Sequence, residues 1–253
     1  MTNRNQNSEV LLTYENIQIT EDDLKCLKAS KYFNDKIINF YLKYMYRTLL
    51  TVEQQSKVHI FDSFFAEALD QMDESRTIRW LRRVNIFEKD YLLIPVNVDE
   101  HWFIMVICYP MNVGFCHSSV LHRPRILTLD SMPHHSQDKM KTLIRLVHNF
   151  IRCACVVQLN MTAEQIGNLS IRMQNVNVDV KEQSNNFDCG IHLLLNAEKF
   201  LIDSFGISEN VANAGVEFRL SQARAKRPAI RNLIRRLIEA TEIENAVSKP
   251  SIA

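Results

Sequence analysis

Apolar residues recur at helical spacing in the first third of the chain. Thr20 followed by acidic residues 22 and 23 predicts a helix start, because carboxylates near the first turn interact favourably with the helix dipole. Asn34-Asp35 predicts a second start, before an apolar stripe formed by Ile37, Ile38, Tyr41, Leu42 and Met45. The same spacing predicts a third helix, with a stripe formed by Phe61, Phe64, Phe65, Ala68 and Leu69. We interpret the stripes as core faces of a helical layer.

The pattern changes at Tyr91 to runs that are typical of strands. Residues 91–98 and 101–108 are largely apolar and are separated only by Asp99-Glu100, which predicts a tight β-hairpin. Residues 125–129 predict a short strand that ends at Asp130, and CACVVQL (153–159) predicts another. Apolar alternation changes phase between 171 and 180, so we expect a bulge or a turn there.

Helical spacing returns in the second half of the chain, over residues 140–151, over 190–201 and in a last segment after Pro228. Helices, then strands, then helices is an order typical of an α+β domain. We expect residues 1–8 to form a flexible polar tail, residues 9–245 a single domain and residues 246–253 a C-terminal tail.

Composition narrows the classes of function. The 253 residues are 46% hydrophobic and 23% charged, and 30 basic against 29 acidic residues give a formal net charge of +1. This balance gives no general attraction to nucleic acid or to a membrane, and the longest apolar run, 102–108, is too short to span a bilayer. None of the five glycines forms a Gly-x-Gly pattern, which argues against a phosphate-binding or dinucleotide-binding loop. We expect neither a nucleic-acid nor a membrane partner.

Cysteines, histidines and a basic run are candidates for further sites. The six cysteines contain no Cys-x-x-Cys pair and follow no secretory signal, so we expect free thiols in a reducing compartment. One cysteine and four histidines lie close together in the middle of the chain, but their spacings fit no structural zinc pattern, so we predict no metal site there. These residues are Cys116, His117, His122, His134 and His135. A basic run near the C-terminus is best interpreted as a solvated helix face, with a nuclear-import signal or contact with an acidic patch as the alternative; it consists of Arg224, Lys226, Arg227, Arg231, Arg235 and Arg236.

Four polar residues stand where predicted elements begin or end. His101 opens a strand, Asp130 follows one, and Cys189 precedes Gly190 and an apolar helix, six residues after Gln183. A helix N-terminus favours a thiolate, an imidazole can take the thiol proton, and a carboxylate can orient the imidazole. A glutamine amide can donate to an oxyanion. The set indicates a Cys-His-Asp hydrolase, although each residue alone is typical of ordinary packing, a turn or a loop.

Five ordered segments carry a family resemblance. VDEHWFIMVICYP, ILTLDSM and QSNNFDCGIHLL resemble the catalytic blocks of the Ulp/SENP family of SUMO-specific cysteine peptidases. KYFNDKIINFYLKYM, and HIFDSFF followed by WLRRVNIFEKDYLLIPV, are similar to upstream blocks of that family. NIFEKDYLLIPVN and INFYLKY look most like the branch that dismantles poly-SUMO chains. The resemblance implies an α+β, cysteine-protease-like domain with a central mixed β-sheet flanked by helices and a nucleophile at the N-terminus of a buried helix.

The resemblance also implies roles for individual residues. His101 becomes the general base and acid, Asp130 its orienting group, Cys189 the nucleophile and Gln183 the oxyanion donor. Trp102 matches the aromatic residue that covers the tunnel for the modifier's Gly-Gly tail, with a core aromatic as the alternative.

Four further residues are implied to contact the modifier. Tyr32 stands where many relatives have a tunnel tryptophan, and Asp35 matches an acid that pairs with a basic residue of SUMO, with a helix N-cap as its alternative role. Trp80 lies in a segment that contacts the modifier in relatives, although by itself it is typical of a core residue, and Phe187 lies beside the catalytic turn.

The function implied by the resemblance is SUMO isopeptidase activity without a metal or cofactor. The expected enzyme is a monomer that cleaves after the SUMO Gly-Gly end in SUMO-conjugated proteins, including poly-SUMO chains, in the nucleus and also in the cytoplasm. Segment 110–125 is short where vertebrate chain-editing relatives carry an insertion, which weakens the chain-editing interpretation. The alternatives are a peptidase for another modifier such as NEDD8, an acetyltransferase with a similar site, and a non-catalytic SUMO-binding module.

Overall fold

The computed structural model describes residues 9–71, 73–113, 122–133, 137–168, 173–205 and 220–247. Within these ranges a five-stranded mixed sheet is flanked by helices on both faces, which confirms the expected α+β class. The predicted tail at 1–8 lies outside the described residues. At the other end the last helix continues through residue 247, two residues past the predicted domain boundary.

The strands of the described ranges are β1 (Val10–Tyr14), β2 (Ile17–Thr20), β3 (Val58–Ile60), β4 (Tyr91–Val98), β5 (His101–Cys108), β6 (Arg125–Leu129) and β7 (Gln174–Asn177). The first two form an antiparallel hairpin that the sequence patterns did not predict, and the others form the sheet in the order β3-β4-β5-β6-β7. The outer pairs of the sheet are parallel and the inner pairs antiparallel. β5, completely buried, is the central strand.

The α-helices of the described ranges are α1 (Glu21–Lys25), α2 (Asp35–Leu49), α3 (Val52–Lys57), α4 (Phe65–Gln71), α5 (Glu74–Leu81), α6 (Gln137–Leu159), α7 (Ala163–Asn168), α8 (Cys189–Phe205) and α9 (Leu220–Val247). Thr20 caps α1 in a reciprocal capping box with Asp23, which confirms the predicted helix start at Thr20. Asn34 caps α2 by accepting from the Ile37 N–H at 3.1 Å, so Asp35 is the first helical residue and not the cap.

Alternate side chains of β5 enter two separate cores. Trp102, Ile104 and Val106 pack into the core that includes residues of α2, α8 and α9, which we call the α8 face. Phe103 and Met105 pack into the core that includes residues of α4 and α6, which we call the α6 face. A strand covered on both faces has no polar alternation, which explains the continuous apolar run in the sequence.

The predicted hairpin of β4 and β5 is present. Val98 pairs with His101, and the connecting residues Asp99 and Glu100 have φ angles of 52° and 63°. Two left-handed residues form the type of turn whose twist matches antiparallel strands. This turn places His101 at the first position of β5, at one end of the sheet.

Two predictions about helices and strands are wrong. CACVVQL is no strand but the last part of α6, because Ile151, Ala154 and Cys155 continue the helical spacing of its buried face. The helix predicted to include Phe61 begins only at residue 65. Phe61 instead donates its N–H to the Leu93 carbonyl of β4 at 2.9 Å, and Phe64 is exposed. Short apolar runs fit both periods, and the tertiary contacts decide between them.

The last helix also differs from its prediction, because α9 begins at residue 220 and contains Pro228 in its interior. A proline inside a helix lacks an N–H and is destabilising, so a start after Pro228 was the natural expectation. The basic run is not uniformly solvated either. Arg224 and Arg235 are exposed, but Lys226 and Arg227 are each only 8% exposed, so the solvated-face interpretation is wrong for these two residues.

One helix of the described residues, α6 over Asp138–Leu159, is long and apolar enough to span a membrane by length and composition alone. Its side chains at Val147, Phe150 and Ile151 are buried in the α6 face. Such packing is typical of a core helix. A bulge or a turn is predicted within residues 171–180; residues 171 and 172 lie outside the described residues, and β7 occupies positions 174–177 of this segment.

Candidate active site

The start of α8 carries a buried thiol. Cys189 is the first residue of this helix and is 1% exposed, so its sulfur lies at the positive end of the helix dipole. The thiol lies 3.9 Å from the carbonyl oxygen of Glu100, in the β4–β5 turn. The helix predicted to follow Cys189 is therefore confirmed, and the turn before His101 lies against the sulfur.

His101 and Asp130 meet where β5 begins and β6 ends. Ile104 pairs with Leu129 in an antiparallel register, which brings the start of one strand beside the end of the other. The Nε2 atom of His101 lies 2.6 Å from Oδ1 of Asp130, and both side chains are 5% exposed. The Met132 N–H donates to the same Oδ1 at 2.8 Å and fixes the carboxylate.

The imidazole of His101 connects the carboxylate with the thiol. It hydrogen-bonds Cys189 as well as Asp130, and because Nε2 contacts the carboxylate, Nδ1 is the nitrogen left for the sulfur. Burial disfavours the charged ring, but the hydrogen bonds and negative charges of Asp130 and Cys189 outweigh it and raise the pKa of His101 from 6.5 to about 9. A protonated imidazole between two acids can stabilise a thiolate and deliver a proton to a leaving group.

Gln183 is held with its amide in a defined orientation. Its Nε2 donates to the carbonyl of Asn185 at 2.5 Å, and its Oε1 accepts from the Ser131 hydroxyl at 2.7 Å. The carbonyl oxygen of Asn185 can only accept a hydrogen bond. The Gln183 amide must therefore turn its nitrogen toward Asn185 and its oxygen toward Ser131. The Gln183 N–H also donates to the Ser131 carbonyl at 3.2 Å, which ties Gln183 to the residue after Asp130.

Trp102 is buried beside this group on the α8 face. Its Nε1–H donates to the carbonyl of Phe33 at 2.9 Å, which joins β5 to the segment before α2. A Cβ added at Gly190 would lie 2.9 Å from Cβ of Phe33, so glycine allows the start of α8 to approach this segment. Trp102 is only 2% exposed. Its predicted role in covering a tunnel stays a prediction.

The other predicted contact residues fall into two groups. Tyr32, 46% exposed, and the half-buried Asp35 flank Phe33, and burial together with the charge of Glu67 raises the pKa of Asp35. Phe187 is half-buried and donates its N–H to Asn185 Oδ1 at 3.0 Å. Tyr32 directly precedes Phe33 and Phe187 directly precedes Asp188, whereas Asp35 is two residues from Phe33. The contacts of all three with a modifier stay predictions.

Trp80 belongs to a different part of the molecule. Its ring stacks on Phe61 at 5.0 Å between centroids and also contacts the rings of Phe65, Phe150 and His59. This aromatic cluster lies on the α6 face, so the structure does not bring Trp80 together with the other predicted site residues. Burial lowers the pKa of His59 to about 4, which keeps its ring neutral within the cluster.

Several polar residues at the site were missed by the sequence patterns. His192 Nδ1 lies 3.0 Å from the Lys181 carbonyl, an acceptor, so this nitrogen carries a hydrogen, and burial lowers the pKa of His192. Ser131 orients Gln183, and Asn185 accepts from it. His192 lies one helical turn after Cys189, which is the only sequence signal that could have identified it.

Within the described ranges, His, Cys, Asp and Glu side chains form no group of three suited to a metal ion. The residues Cys116, His117, His134 and His135, for which no metal site is predicted, lie outside these ranges.

Comparisons with known proteins identify proteases that are similar to this chain. The chain is 28% identical over 198 residues to a probable ubiquitin-like-specific protease 2A of Arabidopsis thaliana, which covers 73% of the chain and 25% of that relative. It is 38% identical over 109 residues to sentrin-specific protease 6 of Mus musculus, which covers 37% of the chain and 10% of the relative. The chain thus spans a quarter or less of the length of these relatives.

Solved structures support the fold. The C-terminal Ulp1 protease domain in complex with Smt3, the yeast ortholog of SUMO, superimposes with a TM-score of 0.64 at 23% identity, covering 94% of this chain and 90% of the other. Residues 31–212, well over half of the chain, match the family described as the Ulp1 protease family, C-terminal catalytic domain. The chain therefore belongs to the Ulp1 protease family.

Proposed function

We propose that the chain is a cysteine isopeptidase that hydrolyses the bond between the C-terminal glycine of SUMO and a lysine of its target. One observation carries the proposal: a buried imidazole joins Asp130 at 2.6 Å to the thiol at the start of α8. This is the order of groups that nucleophilic catalysis by a thiol requires. Family membership and the Smt3 complex of a similar domain support SUMO as the modifier.

The reaction proceeds in two halves. The Cys189 thiolate bonds to the glycine carbonyl carbon and displaces the carbonyl electrons onto oxygen. This oxyanion accepts from the second Nε2–H of Gln183 and from the Cys189 N–H. As the oxyanion collapses, the carbon–nitrogen bond breaks and His101 gives its proton to the departing lysine amine. Water then gives one proton to His101 as its oxygen attacks the thioester carbon. The carbon–sulfur bond breaks and the thiolate leaves, and the SUMO carboxylic acid ionises by giving the second proton to the solvent.

Selection of the Gly-Gly end is proposed to be steric. The indole of Trp102, held by its hydrogen bond to Phe33, covers a passage that only residues without a Cβ can enter. Asp35 supplies a negative charge for a basic residue of the modifier, with Tyr32 and Phe187 as neighbouring contact residues. We propose SUMO and SUMO-conjugated proteins as the partners, and a monomeric enzyme in the nucleus and also in the cytoplasm.

Chain editing is the finer part of the proposal. Its support is the resemblance of NIFEKDYLLIPVN and INFYLKY to the branch that dismantles poly-SUMO chains. We expect the enzyme to cleave an isopeptide-linked SUMO dimer in addition to a single SUMO joined to a target protein.

The experiment compares modifiers. SUMO, NEDD8 and ubiquitin, each carrying a C-terminal fluorogenic amide, are offered to the wild-type chain and kcat/KM is measured. We expect SUMO to be cleaved at least about 100-fold faster than either alternative, a difference of about 3 kcal/mol in transition-state binding. Faster cleavage of NEDD8 or ubiquitin contradicts the substrate assignment, and no cleavage of any of them contradicts the activity. Incubation with acetyl-CoA tests the acetyltransferase alternative, for which an acetyl thioester on Cys189 is diagnostic.

A further inference from the structure

The segment that leads into Cys189 is tied to three other parts of the fold. We call residues 181–188 the catalytic loop. Its Lys181 carbonyl contacts His192 of α8 at 3.0 Å, and Gln183 contacts Ser131 after β6 at 2.7 Å. Its last residue, Asp188, contacts Arg227 of α9 at 2.9 Å. The first two contacts are near in sequence to catalytic groups, whereas the third comes from a helix without a proposed part in the chemistry.

Arg227 is unusually engaged for a residue of a basic run. Its Nη1 donates to the Cys26 carbonyl at 2.7 Å and to the Lys28 carbonyl at 3.1 Å, and its Nη2 donates to Asp188 Oδ1. The guanidinium carbon lies 4.6 Å from the ring centroid of Phe33, the residue whose carbonyl binds Trp102. A planar donor with this many partners fixes a geometry that a lysine cannot reproduce.

Polar contacts lead from Arg227 to the oxyanion donor. The second carboxylate oxygen of Asp188 accepts from Asn185 Nδ2 at 2.8 Å, and Asn185 Oδ1 accepts from the Asp188 N–H at 3.0 Å. The Asn185 carbonyl in turn accepts from Gln183 Nε2. The path Arg227–Asp188–Asn185–Gln183 thus connects α9 with the amide proposed to bind the oxyanion, through hydrogen bonds given by the structure at every step.

Charge gives Arg227 a second effect. Asp188 directly precedes Cys189, and a carboxylate beside a sulfur that becomes negative is unfavourable unless it is compensated. The side chains of Asp188 and Arg227 are 25% and 10% exposed, so water screens the carboxylate only in part. The guanidinium supplies the compensating charge at 2.9 Å.

We propose that Arg227 is a positioning residue for the reaction. It holds Asp188 and the catalytic loop so that Gln183 and the start of α8 keep their places, and it neutralises the carboxylate beside the nucleophile. This inference rests on the proposed function and assigns a part in it to the last helix of the chain.

The test is a set of variants assayed with a SUMO fluorogenic amide. We expect Arg227→Ala to lower kcat by about 10- to 100-fold with KM within about twofold, since misplaced groups affect the transition state more than binding. Arg227→Lys keeps the charge but loses the fork and recovers only part of kcat. Arg235→Ala, an exposed arginine on the same helix, is the matched control and leaves both constants unchanged.

Asp188→Asn should change kcat in opposite directions in the wild-type and the Arg227→Ala backgrounds. In the wild-type background it lowers kcat, because the loop loses its ion pair. In the Arg227→Ala background it raises kcat several-fold, because it removes the uncompensated carboxylate. A merely structural role predicts no such reversal. An Arg227→Ala variant with lower thermal stability but wild-type kcat overturns the proposal, and so does a double variant whose losses simply multiply.

A second measurement separates this proposal from the proposed function. Chloroacetamide alkylation of Cys189, followed by mass spectrometry of its peptide, needs no modifier. We expect Arg227→Ala to slow it at least about fivefold at pH 7, and an unchanged rate counts against Arg227. If wild-type protein fails to cleave SUMO while alkylation still depends on Arg227, the substrate assignment fails and the positioning role stands.

Discussion

The two faces of the sheet use polar groups differently. On the α8 face and at its edge, buried side chains such as Asp130, His192 and Arg227 form directional contacts. On the α6 face the described core is largely aliphatic and aromatic, with Trp80 stacked among phenylalanines. Packing of the second kind has no preferred partner atoms and contributes mainly stability. Substitutions on the α6 face should therefore change unfolding, and substitutions on the α8 face should change turnover.

The largest expected contrast is between two buried thiols. Cys189→Ala should lower kcat by a factor of about 10⁴ or more while the protein stays folded and still binds SUMO. Cys155→Ala, on the α6 face, should destabilise by about 1 kcal/mol and leave kcat unchanged. Steady-state cleavage and urea unfolding of both variants measure the contrast, and turnover by Cys189→Ala would remove the distinction between the faces.

The next effect concerns pH and comes from His101. Its pKa is about 9 in the folded protein and 6.5 in the unfolded chain. The stability that it contributes is therefore fully present below pH 6.5 and is lost as the pH rises through about 9. For the same reason, wild-type kcat/KM should decline above about pH 9.

Asp130→Asn tests this account, because it removes the negative charge that favours the protonated ring. We expect kcat to fall by about 100-fold or more and the alkaline limb of kcat/KM to move to lower pH. The profile of Trp80→Leu, on the other face, should keep the wild-type limb. An unchanged alkaline limb of kcat/KM in Asp130→Asn would show that His101 does not set the pH dependence.

The two tryptophans sharpen the comparison at a smaller scale. Trp80→Ala should destabilise by about 2–3 kcal/mol, since a large ring leaves the aromatic cluster, with KM unchanged. Trp102→Phe should destabilise by about 1–3 kcal/mol, because the buried Phe33 carbonyl loses its donor, and should in addition lower kcat/KM by about tenfold. A rise in KM for Trp80→Ala at unchanged stability would instead give Trp80 the modifier contact implied by the resemblance.

The smallest effect is expected at the turn before His101. Glu100 has a φ of 63°, a conformation that costs a non-glycine residue about 1 kcal/mol. Glu100→Gly should therefore raise the free energy of unfolding by up to about 1 kcal/mol and change kcat less than twofold. Thermal unfolding with a parallel assay checks both, and a lower melting temperature would contradict the strain argument.

The parts of the site that could be predicted are those fixed by local sequence. His101, Asp130 and Cys189 each lie at the end of an element that the apolar pattern defines, so their meeting at one edge follows from the topology. Arg227 could not be found in this way, since it lies in the interior of α9 and its contact with Asp188 depends on how that helix packs. The strand predicted at CACVVQL is wrong because the packing of α6 overrides the strand preference of these residues.

The central claim, that Cys189 is a nucleophile activated for a SUMO Gly-Gly end, is tested most directly by a SUMO probe with a thiol-reactive C-terminus. Intact mass and peptide mapping identify the labelled residue. The account predicts one SUMO adduct on Cys189 in the wild-type chain and strongly reduced labelling in His101→Ala. No adduct, or an adduct on Cys26 or Cys153 while Cys189 stays free, would contradict it.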